Sequence, residues 1–163
     1  HLIDTGCRNI LFLGGPKGVY TTGERLKGYR QALREAEIPF QKEYITYGAY
    51  STASGYERVR HIIEAYPETD AIFAGADTIA IGVLRALREL NIPVPGQVSV
   101  LGFDNIMLSA DLTPTLTTVA QPIYEMGYRA ARKLLALIGG DPEGAKSECM
   151  STTLVQREST RSR

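Results

Sequence analysis

Arg25, Tyr50, Asp77 and Asp104 are the side chains of this sequence best placed, by type and spacing, to hold a small polar molecule. A guanidinium and a carboxylate grip neighbouring hydroxyl groups with charge-assisted hydrogen bonds, while an aromatic ring covers the apolar face of a ring-shaped ligand. Three of the four close a short apolar run: Tyr50 lies in the turn 48–51, Asp77 in 75–77 and Asp104 in 103–105. Arg25 falls just inside the helix pattern that follows the turn 14–20. Such turns gather at the carboxyl ends of the strands of an open parallel sheet, which is where these folds bind ligands. The mixture of charges, amide, aromatic ring and small residues suits a polyhydroxylated or heteroaromatic molecule better than a phosphate.

Each residue also has a plainer explanation. Arg25, in the first turn of a helix, opposes the macrodipole at a cost of about 0.3–1 kcal/mol. It calls for a bound ligand or a partner carboxylate, or else it reaches back into solvent. Asp77 stands where a helix N-cap belongs, and capping alone accounts for it. Asp104 has no helix pattern behind it, so capping explains it less well. Tyr50 has the ordinary alternative of a half-buried loop aromatic.

Catalysis is not signalled. GGPKG at 14–18 lacks the spacing and the Lys-Ser/Thr ending of a phosphate-binding loop, and neither GxGxxG nor GxSxG occurs. His1 opens the sequence and His61 lies within a helix pattern, so nothing points to a Ser-His-Asp arrangement. Neither enzyme activity nor a cofactor is expected. Cys7 and Cys149 are far apart, without Cys or His at metal-ligand spacing, which speaks for reduced thiols in a cytoplasmic protein and against zinc or a disulfide framework. Lys plus Arg and Asp plus Glu number 18 each, whereas a free-standing nucleic-acid binder carries a basic excess. No apolar run approaches the roughly 18 residues of a membrane-spanning helix, so no membrane partner is expected.

The elements that must position these residues alternate along the chain. Strand-like runs at 9–13, 44–47, 71–74 and 98–101 lead into turns, and the first three continue as helix-period segments at about 22–36, 52–66 and 78–90. Thr21 with Glu24 forms a capping box for the first helix, whose buried side is Leu26, Tyr29 and Leu33. Tyr56, Val59 and Ile63 line the second, and Ala80, Val83, Leu84 and Leu87 the third. This order is the signature of βαβ units, so the fold class is α/β with a doubly wound parallel sheet. After residue 105 the pattern breaks into an irregular stretch, a short strand at 116–120 and a long helix starting at Pro122. Ile123, Met126, Gly127, Ala130, Ala131, Leu134 and Ile138 form its apolar stripe before Gly139 and Gly140 stop it. Residues 147–155 read as extended and 158–163 as a frayed polar tail. With 163 residues, 44% of them hydrophobic, the chain can bury one core or two smaller lobes. The opening HLIDTG reads like the last turns of an amphipathic helix stopped by Gly6, so the sequence is expected to begin inside a longer one.

Five segments, in this order, resemble the LacI/GalR family of transcription regulators: ERLKGYRQAL (24–33), YSTASGY (50–56), VPGQVSVLGFDN (94–105), LTPTLTTVAQPIYEMG (112–127) and LVQREST (154–160). The effector domains of that family share the two-lobed, type I fold of periplasmic sugar-binding proteins, and TLTTVAQP looks more like the regulators than the transport proteins. The resemblance implies a cleft between lobes, with 7–113 and 151–160 in the C-terminal lobe and 1–6 and 114–150 as segments of the N-terminal lobe. It places the family's effector-contacting arginine on Arg25, its stacking aromatic on Tyr50, its strand-end aspartate on Asp104, and a polar residue from the other lobe on Gln121. Many relatives have Asn-Asp where this chain has Ala76 and Asp77, so one amide contact is missing and no single relative's ligand transfers.

The resemblance also implies a homodimer, formed partly through residues 78–90 and 106–112. Ile79, Ile81, Met107 and Leu108 are more apolar residues than one buried face requires, and such surplus marks an interface; packing under the loop is the alternative for Met107 and Leu108. The family's helix-turn-helix headpiece has no counterpart in these residues, so DNA would be bound only through a headpiece outside them. The function implied is sensing of a small-molecule effector, a sugar or related metabolite, that controls DNA binding by lobe closure. The alternatives are a transport-associated periplasmic sugar-binding protein and a small α/β enzyme.

Overall fold

ILFLG at 10–14 is buried at every position, as a parallel strand covered on both faces must be. The computed structural model describes residues 1–162, residue 143 by its backbone alone. The elements in order are β1 (Ile10–Gly14), α1 (Tyr20–Glu35), β2 (Ile45–Tyr47), α2 (Thr52–Ala65), β3 (Ala71–Ala74), α3 (Asp77–Glu89), β4 (Ser99–Asp104), β5 (Thr117–Ala120), α4 (Ile123–Ile138) and β6 (Thr153–Val155). The strands form one sheet in the order β2-β1-β3-β4-β5-β6, parallel throughout except for β6, which runs antiparallel to β5.

Each helix covers the face its periodicity prescribes. Leu26, Tyr29 and Leu33 of α1 pack with Ile10, Phe12 and Leu101 on one side of the sheet. Val59, Ile62 and Ile63 of α2 and Val83 and Leu87 of α3 pack with Leu11, Leu13, Ile72 and Val100 on the other. Fully burying such a side chain contributes about 1.5–3 kcal/mol. The chain leaves β1 toward β2 on one side and resumes at β3 on the other, so the strand order reverses between β1 and β3. That crevice is the topological switch point of the fold.

Several local expectations change in three dimensions. The capping box at Thr21 does not form: α1 begins at Tyr20, with Val19 as N-cap and no side-chain cap. The tail expected to fray is stitched into the sheet, since Ser159 accepts the Val100 N–H at 2.7 Å and donates its own N–H to the Thr115 carbonyl at 2.9 Å. Ser159 and Thr160 are buried; residue 163 lies outside the described residues. Residues 117–120, expected among the segments of the N-terminal lobe, lie in this sheet. β5 pairs in register with β4, from Leu101 opposite Thr117 to Asp104 opposite Ala120, and the chain departs from the sheet only after Ala120. Leu2 is buried beside Cys7 and Ile10 in the core under this sheet, with Ile3 packed against it.

Beyond Ala120 the chain makes an excursion. α4 packs against the short turn of 3-10 helix Pro142–Ala145, and none of its residues is buried. Ile123, Leu134, Leu135 and Ile138 are exposed along it. Among the described residues no helix is long and apolar enough to cross a membrane.

Candidate functional site

Arg25 and Asp104 meet. Arg25 extends across the switch point from α1, donating from Nη1 to the Gly75 carbonyl beyond β3 and from Nη2 to Asp104 Oδ1, 3.3 Å away at the end of β4. Its guanidinium lies over the Phe103 ring, 3.9 Å from the centroid, a cation–π contact no periodicity could have revealed. Because α1 starts at Tyr20, Arg25 sits past the first turn, where the macrodipole penalty fades; the carboxylate partner is Asp104. Gln121, which follows β5, donates its amide to the same Oδ1 at 2.7 Å.

These side chains are half-buried, 12% exposed for Arg25 and 27% for Asp104. Burial raises the Asp104 carboxyl above its ordinary value, against the opposing pull of Arg25 and the Gln121 bond. Both of these donors go to Oδ1, so Oδ2 keeps acceptor capacity. A ligand hydroxyl donating there would form a charge-assisted bond, worth about 1.5–3 kcal/mol.

Asp77 is not part of that rim, which corrects its assignment as an effector contact. It is fully buried. Oδ1 accepts the Thr118 hydroxyl at 2.6 Å and Oδ2 the Ile106 N–H at 3.0 Å, so both oxygens are used inside the protein. Nor is it the N-cap, since Ala76 holds that position without a side-chain bond. Burial raises its carboxyl, while the Thr118 and Ile106 bonds oppose the shift. Gly102 makes this fit possible, because a Cβ there would run into the Asp77 carboxylate and come within 3.0 Å of Leu116.

Tyr50 lies against Gly15, its hydroxyl 2.7 Å from Thr22 Oγ1 and 3.2 Å from Thr21 Oγ1. It shares the carboxyl-end rim with Arg25, joined through the first turns of α1. Arg58 of α2 escaped notice in the sequence. Its Nη1 donates to the Gly14 carbonyl at 2.7 Å and the Thr46 carbonyl at 3.4 Å, while its Nε donates to the Ser54 carbonyl of its own helix at 3.0 Å, so it braces the ends of β1 and β2. Burial pushes its guanidinium down to about 10. Its place on a helix interior gives no sequence signal, because the strand carbonyls it serves belong to other elements.

Ile79 is also corrected. It is buried in the core between α2 and α3, where Gly55 lets the two backbones approach so closely that a Cβ would strike the Ile79 carbonyl. It therefore offers no surface to a second chain. Ile81 is partly exposed, while Met107 and Leu108 are 89% and 48% exposed.

The topology and its polar rim define an α/β domain of the doubly wound class with polar side chains gathered at its switch point; among the described residues no cluster of His, Cys, Asp or Glu could hold a metal ion. The profile of the periplasmic binding protein-like domain matches residues 1–160. The chain belongs to that family, and its relatives are LacI-type transcriptional regulators rather than enzymes. The regulator CelR of Thermobifida fusca is 35% identical over 159 residues, covering 98% of this chain and 47% of CelR. The repressor CytR of Escherichia coli is 34% identical over 161 residues, covering 99% of this chain and 47% of CytR. The solved CelR–cellobiose complex superposes with a TM-score of 0.89 at 34% identity, covering 97% of this chain and 48% of that one. The lac repressor dimer bound to operator and the anti-inducer ONPF also gives 0.89, at 26% identity, covering 99% and 56%. The chain spans about half the length of the curated relatives it matches.

Proposed function

We propose that this chain is the small-molecule-sensing part of a LacI-type transcriptional regulator acting in the cytoplasm. An effector with adjacent hydroxyls, a sugar or related metabolite, is gripped at the rim by Arg25 and Asp104, with Tyr50 beside them and Gln121 bonded to the same carboxylate. The observation that carries this proposal is the meeting of Arg25, Asp104 and Gln121, drawn from three separate elements, around one carboxylate oxygen. α4 and the turn after it belong to a second lobe, supported by a helix with no buried residue. Closure of the lobes shifts a hinge equilibrium by the 1–3 kcal/mol typical of allosteric coupling. A DNA-binding headpiece outside these residues reads the shift. Met107, Leu108 and Ile81 face a second copy in a homodimer.

A thermal-shift panel of sugars, nucleosides and related metabolites tests the proposal, because a ligand bound only by the folded chain raises its Tm. A compound that stabilises the native chain should lose about 1.5–3 kcal/mol of binding in Asp104→Asn. Unchanged affinity in that variant would remove Asp104 from the site. A panel without any stabilising polyol would remove the effector class.

A further inference from the structure

Two consecutive non-glycine residues at the end of β4 adopt positive φ, Asp104 at 114° and Asn105 at 54°. Side-chain-bearing residues hold that region when surrounding contacts over-determine them, and here those contacts come from distant sequence. Arg157 donates from Nη2 to Asn105 Oδ1 at 2.9 Å, and from Nη1 to Ser109 Oγ at 3.1 Å and the Leu116 carbonyl at 2.7 Å. From the other side, Thr118 Oγ1 accepts the Asn105 N–H at 3.3 Å and Asp77 Oδ2 the Ile106 N–H at 3.0 Å. Arg157 thus spends its planar fork on neutral oxygens, two of them on the loop after β4. Anchoring the tail does not require this, since Arg161 ties it down through the carbonyls of Pro95, Gly96 and Gln97.

We infer that Arg157 is a positioning residue for Asp104: through Asn105 it fixes the turn that aims the cleft carboxylate, and through Ser109 it binds the same turn to the exposed Met107–Leu108 face. A planar guanidinium can reach Asn105, Ser109 and Leu116 together, whereas a lysine ammonium offers no such fork. The inference rests on Asp104 as a cleft group, so its test uses ligand-free readouts that can fail separately.

Amide hydrogen exchange by NMR on the whole chain is compared for Arg157→Gln, Asn105→Gly, the double variant and, as a control on the same tail, Arg161→Gln. Asn105→Gly removes the acceptor while tolerating positive φ. Exchange at Ile106 and Ser109 should rise about tenfold in each of the first two variants. The double variant should add nothing further, as expected of one shared interaction, and Arg161→Gln should leave both amides within about twofold. The carbon-13 titration of Asp104, which sits among Arg25, Gln121 and Asp77, should move toward the ordinary aspartate range in both Arg157→Gln and Asn105→Gly, although only the first removes a charge. Additive effects, a uniform rise across the sheet, or an equal response to Arg161→Gln would overturn the inference. If Arg157→Gln does not fold, unchanged exchange in Asn105→Gly would do the same. A loosened turn combined with unaltered ligand response in Asp104→Asn would overturn the site and leave the clamp standing.

Discussion

Replacing Asp77 separates a buried clamp from a helix-end charge. The side chain is fully buried and each oxygen accepts one hydrogen bond, from the Thr118 hydroxyl and the Ile106 N–H. Asp77→Leu preserves the approximate volume but leaves both donors unpaired inside the protein, at about 1–3 kcal/mol each. Removing a carboxylate that burial disfavours returns part of this, so the expected loss is about 2–4 kcal/mol. Asp77→Asn keeps the shape. Its amide oxygen accepts from Ile106 and its NH2 faces a Thr118 hydroxyl that rotates to accept, for a loss of about 1 kcal/mol or less. A residue acting only through the macrodipole at the start of α3 would contribute about 0.3–1 kcal/mol, screened by salt. Urea unfolding with linear extrapolation measures the difference. Equal losses below about 1 kcal/mol in the two variants, or a difference abolished by added salt, would refute the clamp.

Three further outcomes follow from the same geometry. Gly102→Ala drives a methyl group against the Asp77 carboxylate and Leu116, so it should destabilise the chain by about 1–3 kcal/mol, read as a lower Tm without change in net charge. Burial raises the Asp104 carboxyl in the folded chain, so at this group the folded state holds more protons just above the ordinary carboxylate range and its contribution to stability falls as pH rises through that window. Asp104→Asn should make the slope of stability against pH more positive there than in the parent, and urea midpoints from about pH 3.5 to 6 would show it; an unaltered slope removes Asp104 as a contributor. Met107→Lys and Leu108→Lys change exposed side chains and should leave Tm within a degree or two while weakening self-association in sedimentation equilibrium; an unaffected dimer would exclude this face.

Local pattern carried the fold further than the site. The run AIFA predicted β3 at residues 71–74, and α4 spans Ile123–Ile138 as its stripe implied, because burial imprints its period on neighbouring residues. β4 runs three residues beyond the expected end because Phe103 and Asp104 pair with β5, and pairing leaves no local mark. Asp77 failed for the same reason: its position mimics an N-cap, while the hydroxyl it serves lies forty-one residues later. The polar tail looked disordered because Ser and Thr are common in loops, yet Ser159 donates its hydroxyl to the Val100 carbonyl at 2.6 Å and accepts the Thr117 N–H at 2.8 Å, in place of strand partners. Strand-end position alone did single out Asp104 and bring Arg25 near it, since parallel topology delivers every such turn to one rim.

Gln121 joins the chemistry of the rim to the motion proposed for it. It follows the last residue of β5 and precedes Pro122, the N-cap of α4, so it stands where the backbone departs from the sheet. Its amide also holds Asp104 Oδ1 at 2.7 Å. A ligand that bonds this oxygen competes with the Gln121 amide, while a ligand that bonds Oδ2 instead leaves the Gln121 bond in place. Competition for Oδ1 and occupation of Oδ2 are therefore distinguishable by whether the Gln121–Asp104 bond survives.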